Sequence, residues 1–268
     1  MPVDGCGPPR QTGQAGQAGQ TGQTGQTGQT GRAARQERNR IMRLLKPIID
    51  WEQRLRARYN TDLSTPENRR RARIYNLWFD HAILRVFWTN FDEVAPGVYR
   101  SNQPTHKRFQ RLKAMGVRAV LNLRGAGGAA HYLVEEESCR ELGLKLVNVT
   151  FHARSAAPAE DILRVIDAFR TIERPFVMHC KSGADRAGFA AAIYLMVIEG
   201  RPVHEARRML GVRYIHFRWT RTGVLDHILD LYEARNARAP IPFEQWVASE
   251  YDHLAVQKHF EDTRRPIF

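Results

Sequence analysis

The apolar positions along this chain change period near residue 98. Upstream, in "IYNLWFDHAILRVFW", they recur at helical spacing, which predicts an amphipathic helix that begins at "STPENRRR", with Ser64 or Thr65 as cap and Pro66 in the first turn. An earlier helical segment is expected from about Ala33 to Tyr59, bent or divided at Pro47. From Val98 onward, short strand-like runs alternate with helical ones. "GVYRS", "VRAVLNLRG", "LKLVNVTF" and "PFVMH" read as strands, and "PTHKRFQRLKAMG", "HYLVEEESCRELG" and "PAEDILRVIDAFRTI" as helices, the first two closed by Gly116 and Gly143. Such alternation predicts an α/β domain with a mostly parallel central sheet flanked by helices. Beyond residue 180 the pattern is helical to the end, through "HEARRML", "TGVLDHILDLYEAR" and "FEQWVASEYDHLAVQKHF". The expected organisation is a tail over 1–32, a basic helical extension over 33–95, the α/β domain over 96–236 and a C-terminal helical tail over 237–268 packed on it.

Composition sharpens this at both ends. Residues 11–31 repeat Gln-Thr-Gly or Gln-Ala-Gly, with a glycine at every third position and almost nothing apolar, so the tract cannot offset its ordering entropy and reads as a disordered tail. The 268-residue chain carries a net charge of +13, much of it in "RAARQERNRIMRLLK" and "ENRRRAR". No nucleic-acid motif accompanies these clusters, so sequence-specific nucleic-acid binding is not expected; attraction to polyanions, including phosphorylated substrates or an acidic membrane surface, is. The longest apolar run, "AGFAAAIYLMVI" from Ala187, is too short to span a bilayer, and no apolar signal region opens the chain. Cys6, Cys139 and Cys180 are widely spaced and odd in number, which points to reduced thiols and a cytoplasmic setting. The histidines are scattered without ligand spacing, so neither a metal nor a cofactor is expected.

The chemistry concentrates in "HCKSGADRAG", residues 179–188, where a strand passes through a tight loop into an alanine-rich helix. A loop so placed turns its backbone N–H groups inward, in front of the positive end of a helix, which makes an anion site suited to phosphate. Cys180 stands at its mouth, in a field that favours the thiolate and is expected to bring its pKa from about 8.5 toward roughly 4–7. Lys181, Ser182, Gly183 and Ala184 supply the cradle, with Gly183 allowing a backbone shape that a side chain would obstruct. Arg186, at the start of the helix, can return its planar fork to grip two phosphate oxygens. Nucleophile, cradle and clamp together specify phosphoryl transfer through a cysteinyl-phosphate.

"HCKSGADR" resembles the His-Cys-x5-Arg signature of the protein tyrosine phosphatase superfamily, and the stretch from Val98 to Glu199 is most similar to small bacterial dual-specificity-type members. The resemblance implies the cysteine phosphatase fold, Cys180 as nucleophile, Arg186 as phosphate-binding residue and His179 as the support for the cysteine. It also implies a phosphorylated substrate: phosphotyrosine or phosphoserine/threonine proteins, phosphoinositides or soluble inositol phosphates. Two departures stand out. The region "NVTFHARSAAPAED", where many relatives carry the acid that protonates the leaving oxygen, has none before Glu160 and Asp161, so Asp185 beside the phosphate arginine is the candidate acid and Asp161 the alternative. Ala187 replaces the serine or threonine that eases departure of the thiolate, which implies slow breakdown of the phosphoenzyme unless Ser182 or a water substitutes. Arg154 is a further candidate for substrate contact. "HFRWTRTG", from His216, is dense in His, Arg and Trp without an evident role.

Other readings compete. "LNLRGAGGAA" fits the loose dinucleotide fingerprint, but the following strand ends "VTFHAR" without the acidic residue that would hold a ribose. A phosphate-binding pseudophosphatase would keep Arg186 and the cradle, yet retention of Cys180 beside them argues for turnover. Rhodanese-like sulfur transfer also uses a cysteine at an anion loop, but the upstream histidine and the Cys-x5-Arg spacing favour phosphate.

Overall fold

The computed structural model describes residues 63–74 and 88–263, together with positions 46, 47, 50, 54 and 57. The chain divides into two compact units, Met1–Gln53 and Arg54–Phe268, and the α/β fold belongs wholly to the second. The repeat tail, most of the predicted 33–59 helix and residues 75–87 of the next one lie outside the described residues. The start of that second helix, α1 (Pro66–Ile74), forms as expected: Thr65, not Ser64, is the cap, its Oγ1 accepting the Asn68 N–H at 3.1 Å.

The sheet has five strands in the order β1-β2-β5-β3-β4: β1 (Asp92–Ala95), β2 (Val98–Asn102), β5 (Phe176–Cys180), β3 (Ala119–Asn122) and β4 (Lys145–Asn148). β2, β5, β3 and β4 run parallel, whereas β1 pairs antiparallel with β2. β1 corrects the sequence reading, which placed residues 33–95 in a helical extension. A turn at Pro96–Gly97 folds "DEVA" back on β2, and its Asp92 and Glu93 suit a short edge strand that must not recruit another chain.

Alternation along the strands decides which helices face which residues. Val120 and Val177 pack with Phe109, Leu112 and Cys139 of α2 (His106–Ala114) and α3 (Ala130–Leu142). Ala119, Leu121, Phe176, Met178 and Cys180 point the other way, toward α4 (Ala159–Thr171) and α5 (Asp185–Val197). With both faces covered, β5 is buried along its whole length and reads as a continuous apolar run. α4 shows its apolar stripe at Ile162, Val165, Ile166 and Phe169, and α5 is buried nearly all round.

After α5 the chain makes a short helix α6 (Val203–Ala206), a tight turn at Arg207–Met209, and α7 (Val224–Arg238). The last predicted helix is two, α8 (Phe243–Ser249) and α9 (His253–Thr263). Asp252 explains the break: its Oδ1 accepts the N–H groups of Leu254 and Ala255 at 2.8 and 3.2 Å, while Tyr251 donates its hydroxyl to Ala157 O at 2.8 Å. α8 buries Phe243, Trp246 and Val247 against α4 and α5. Among the described residues no helix is long and apolar enough to cross a membrane.

β5 is inserted between β2 and β3: the helices that follow those two strands, α2 and α3, cover one face of the sheet, and α5, which follows β5, covers the other. The carboxyl ends of β2, β5 and β3 therefore open a crevice at the switch point, where ligands of such sheets bind. Cys180 ends β5 in that crevice, level with Asn102 of β2.

Candidate active site

The loop after β5 is built around the cysteine sulfur. The Gly183 N–H donates to Cys180 Sγ at 3.2 Å, so the chain curls back over the sulfur within three residues. Cys180 itself is only 2% exposed. Gly183 has φ +73°, and a Cβ there would lie 2.6 Å from Asn102 N and 2.7 Å from Ser101 C, so the loop presses against β2. Ala184 N–H donates to Ser182 Oγ at 3.3 Å, and α5 begins at Asp185. Arg186 is half-buried, and its Nη1 donates to Leu123 O at 3.3 Å. No carboxylate pairs with it among the described residues, so its fork is available to an anion.

Several supports of this loop come from distant parts of the chain. Arg100, on the inward face of β2, is fully buried and donates from Nη2 to the carbonyls of Gly183 and Ala184 and from Nη1 to Met209 O at 2.5 Å. Its guanidinium lies 3.7 Å from the centre of the Tyr214 ring. Burial pulls its pKa down to about 10, while Tyr214, the Cys180 sulfur and Asp92 favour the charge, so it remains a cation at neutral pH within electrostatic reach of Cys180. Asn90 donates from Nδ2 to Ser182 O and Tyr214 O, each at 2.8 Å. Gln103 N–H reaches Lys181 O at 3.4 Å.

On the other face of the sheet, His179 Nε2 lies 2.5 Å from Glu135 Oε1 of α3, and both side chains are buried. Gln103 Nε2 holds the other Glu135 oxygen at 2.8 Å, and His179 Nδ1 faces Cys180 O at 3.4 Å. The ring beside the cysteine is thus oriented at both ends by acceptors.

The two acid candidates differ in setting. Asp161 is buried in the first turn of α4, where its Oδ1 takes Arg164 Nη2. Asp185 is partly exposed and lines a cavity of about 350 Å³ with Arg154, Ile215, Phe217, Thr220, Arg221 and Thr222. Its Oδ1 is 2.7 Å from His216 Nδ1, and His216 Nε2 is 2.7 Å from Asp226 Oδ2. Burial opposes charge on His216, yet the hydrogen bonds to the two carboxylates outweigh it and raise its pKa to about 9. Cys139, by contrast, is an ordinary core thiol: burial, aided by Glu135, pushes it up to about 12. Among the described residues no group of three His, Cys, Asp or Glu side chains is placed to hold a metal ion.

Of the residues named from sequence, Cys180 to Arg186 form one loop and Arg154 shares the cavity beside Asp185, whereas His179 is buried on the other face of the sheet and Asp161 lies in the first turn of α4. Arg100, Glu135, Asn90 and Asp226 were missed. Arg100 carried a signal, a charged residue on the inward face of a strand, and so did Glu135, which shares a helical face with Tyr132 and Cys139.

Residues 94–200 match the family model described as "Polymorphic toxin system, DSP-PTPase phosphatase". The dual specificity protein phosphatase TpbA of Pseudomonas aeruginosa strain UCBPP-PA14 is 28% identical over 116 residues, 41% of this chain and 48% of that protein. The chain thus spans about half the length of the curated relatives it matches. The crystal structure of P. aeruginosa TpbA aligns with TM-score 0.41 and 23% identity, over 55% of this chain and 91% of that one. The core catalytic domain of the PP-IP phosphatase SIW14 from S. cerevisiae aligns with TM-score 0.39 and 16% identity, over 65% and 91%. The family model thus covers the segment that holds β2 to β5 and the loop from Cys180 to Arg186.

Proposed function

We propose that the protein is a cysteine-dependent phosphatase that hydrolyses phosphate monoesters, with phosphotyrosine in a protein as its substrate, through a cysteinyl-phosphate. The observation that carries this reading is the loop 180–186, in which a sulfur accepts a backbone N–H at 3.2 Å and an arginine with no carboxylate partner among the described residues stands at the head of the following helix. The loop amides and Arg186 bind the phosphoryl oxygens. The Cys180 thiolate then attacks phosphorus; the Sγ–P bond forms as the bond to the leaving oxygen breaks, and Asp185 gives that oxygen its proton. Water next attacks phosphorus, Asp185 takes back a proton, and the thiolate leaves. Arg154 and Arg221 line the cavity beside Asp185 and pair with no carboxylate among the described residues, which suits them to anionic groups flanking the phosphate.

The test is direct. Purified protein is expected to hydrolyse p-nitrophenyl phosphate and a phosphotyrosine peptide without added metal, with competitive inhibition by vanadate. Failure on both esters would remove the reading.

The assignment of the acid has its own prediction. Asp185→Asn should lower kcat on a poor leaving group by about 10²-fold and far less on a good one, because only the former needs a proton in the transition state. Asp161→Asn should show no such split, since its carboxylate is held by Arg164. A split in Asp161→Asn with none in Asp185→Asn would reverse the assignment.

A further inference from the structure

His216 takes no part in the steps above, yet it ties Asp185 to the rest of the molecule. The residue is 2% exposed, and each ring nitrogen lies 2.7 Å from a carboxylate oxygen. With a carboxyl oxygen at each end, both nitrogens carry protons and the ring is an imidazolium held between Asp185 and Asp226. Asp185 opens α5 and Asp226 sits in the first turn of α7, so the ring bridges the starts of two helices, where carboxylates are favoured. Asp185 faces the cavity beside the loop, whereas Asp226 is absent from its lining. Burying such a cluster is costly, and a packed apolar residue would bridge the helices as well if bracing were all that was needed.

We propose that His216 and Asp226 are positioning residues for the phosphatase reaction: His216 binds Oδ1 of Asp185 and leaves Oδ2 to carry the proton, while Asp226 balances the charge of the ring. The inference rests on the phosphatase reading and on Asp185 as the acid. Two effects follow from the geometry. The bond to Nδ1 stops rotation of the Asp185 carboxyl group, so one oxygen is presented. The second effect is electrostatic. An imidazolium paired with Asp185 alone would hold that carboxyl ionised and spoil it as an acid. With Asp226 ionised on the far side, the His216–Asp226 pair is close to neutral, and Asp185 can both lose and regain a proton.

In the first step the O–H bond at Oδ2 breaks and its proton goes to the leaving oxygen, while Nδ1–H donates to Oδ1 of the new carboxylate. In the second step water returns a proton to Oδ2 as its oxygen bonds to phosphorus and the Sγ–P bond breaks. His216 keeps both protons throughout. Among the described residues, the charged groups that face the ring are Asp185 from α5 and Asp226 from α7.

The experiment uses the full chain and compares p-nitrophenyl phosphate, whose leaving phenol is acidic, with phenyl phosphate, whose phenol resembles tyrosine (pKa about 10). Asp226→Asn and His216→Gln are each expected to lower kcat on phenyl phosphate by about 10²-fold, but on p-nitrophenyl phosphate by less than about 5-fold, with KM nearly unchanged. The alkaline limb of the kcat profile should move in opposite directions. It falls to lower pH in Asp226→Asn, where the imidazolium is uncompensated, and rises in His216→Gln, where the cation is gone. Equal losses on the two esters, or a limb at the wild-type position in both variants, would overturn the proposal. If His216→Gln does not fold, Asp226→Asn decides alone. Wild-type protein inactive on both esters would overturn the phosphatase reading and this inference with it, whereas turnover without the split overturns this inference only.

Discussion

Cys180→Ser is expected to lower turnover by at least about 10⁴-fold while leaving phosphate binding nearly intact. The two halves of this result have separate physical sources. Turnover needs an anion that is nucleophilic at neutral pH, which a serine hydroxyl is not. Binding needs the loop amides and Arg186, and these do not depend on sulfur: Oγ of a serine can accept the Gly183 N–H that Sγ accepts at 3.2 Å. Arg100 would still hold the carbonyls of Gly183 and Ala184, so the loop keeps its shape. Single-turnover kinetics on p-nitrophenyl phosphate and calorimetric titration with a phosphotyrosine peptide measure the two halves. In the wild type, rapid mixing should also show a burst of p-nitrophenol, because Ala187 offers no hydroxyl to help the thiolate leave; the serine variant should show none. A serine variant that turns over normally would remove the covalent mechanism.

Why the centre of this site could be read from sequence, and its surroundings could not, follows from how each is held. Cys180, Gly183 and Arg186 lie on seven consecutive residues, bounded by an apolar strand and an alanine-rich helix whose periods are legible locally. The central strands β3 and β5 were legible for the same reason, since each is buried along its length and is a short, largely apolar run. β1 was not, because "DEVA" is charged and its pairing depends on a turn.

The supports of the loop are all long-range. Glu135 reaches His179 across 44 residues, and in "EEE" nothing local distinguishes the one carboxylate that is buried from its neighbours except its place on the helical face shared with Tyr132 and Cys139. His216 stood out in "HFRWTRTG" as a density without chemistry. It gains a role only when α5 and α7 bring Asp185 and Asp226 to its two nitrogens. Arg100 shows only as a charge on the inward face of a strand, because the atoms it holds are backbone carbonyls, which leave no mark in a sequence. Local motifs thus mark the atoms proposed to react, while the groups that hold those atoms in place appear only when the strands and helices are assembled.

Gly183→Ala should show how much the reaction depends on that assembly. Two positions, Gly183 and Gly116, share a left-handed backbone with φ of +73° and +89°, so alanine at either is strained by about 1 kcal/mol. Their surroundings differ. Nothing lies within 4 Å of a Cβ built on Gly116, whereas at Gly183 it would meet Asn102 N at 2.6 Å, Ser101 C at 2.7 Å and Asn90 Cβ at 2.8 Å. Two of these atoms belong to the backbone of β2, inside the sheet, and cannot step aside as the end of a flexible side chain would. The loop must move instead, taking with it the Gly183 N–H that faces sulfur and the carbonyl that Arg100 holds. Gly116→Ala is therefore expected to cost about 1 kcal/mol with normal kcat, and Gly183→Ala about 2–4 kcal/mol in urea denaturation. The loss in kcat/KM for Gly183→Ala should reach about 10²-fold or more, the penalty of misplacing a reacting group by about 1 Å. Equal costs at the two positions, with catalysis intact in both, would mean that the loop does not rest on β2 and that its amides are not what holds the phosphate.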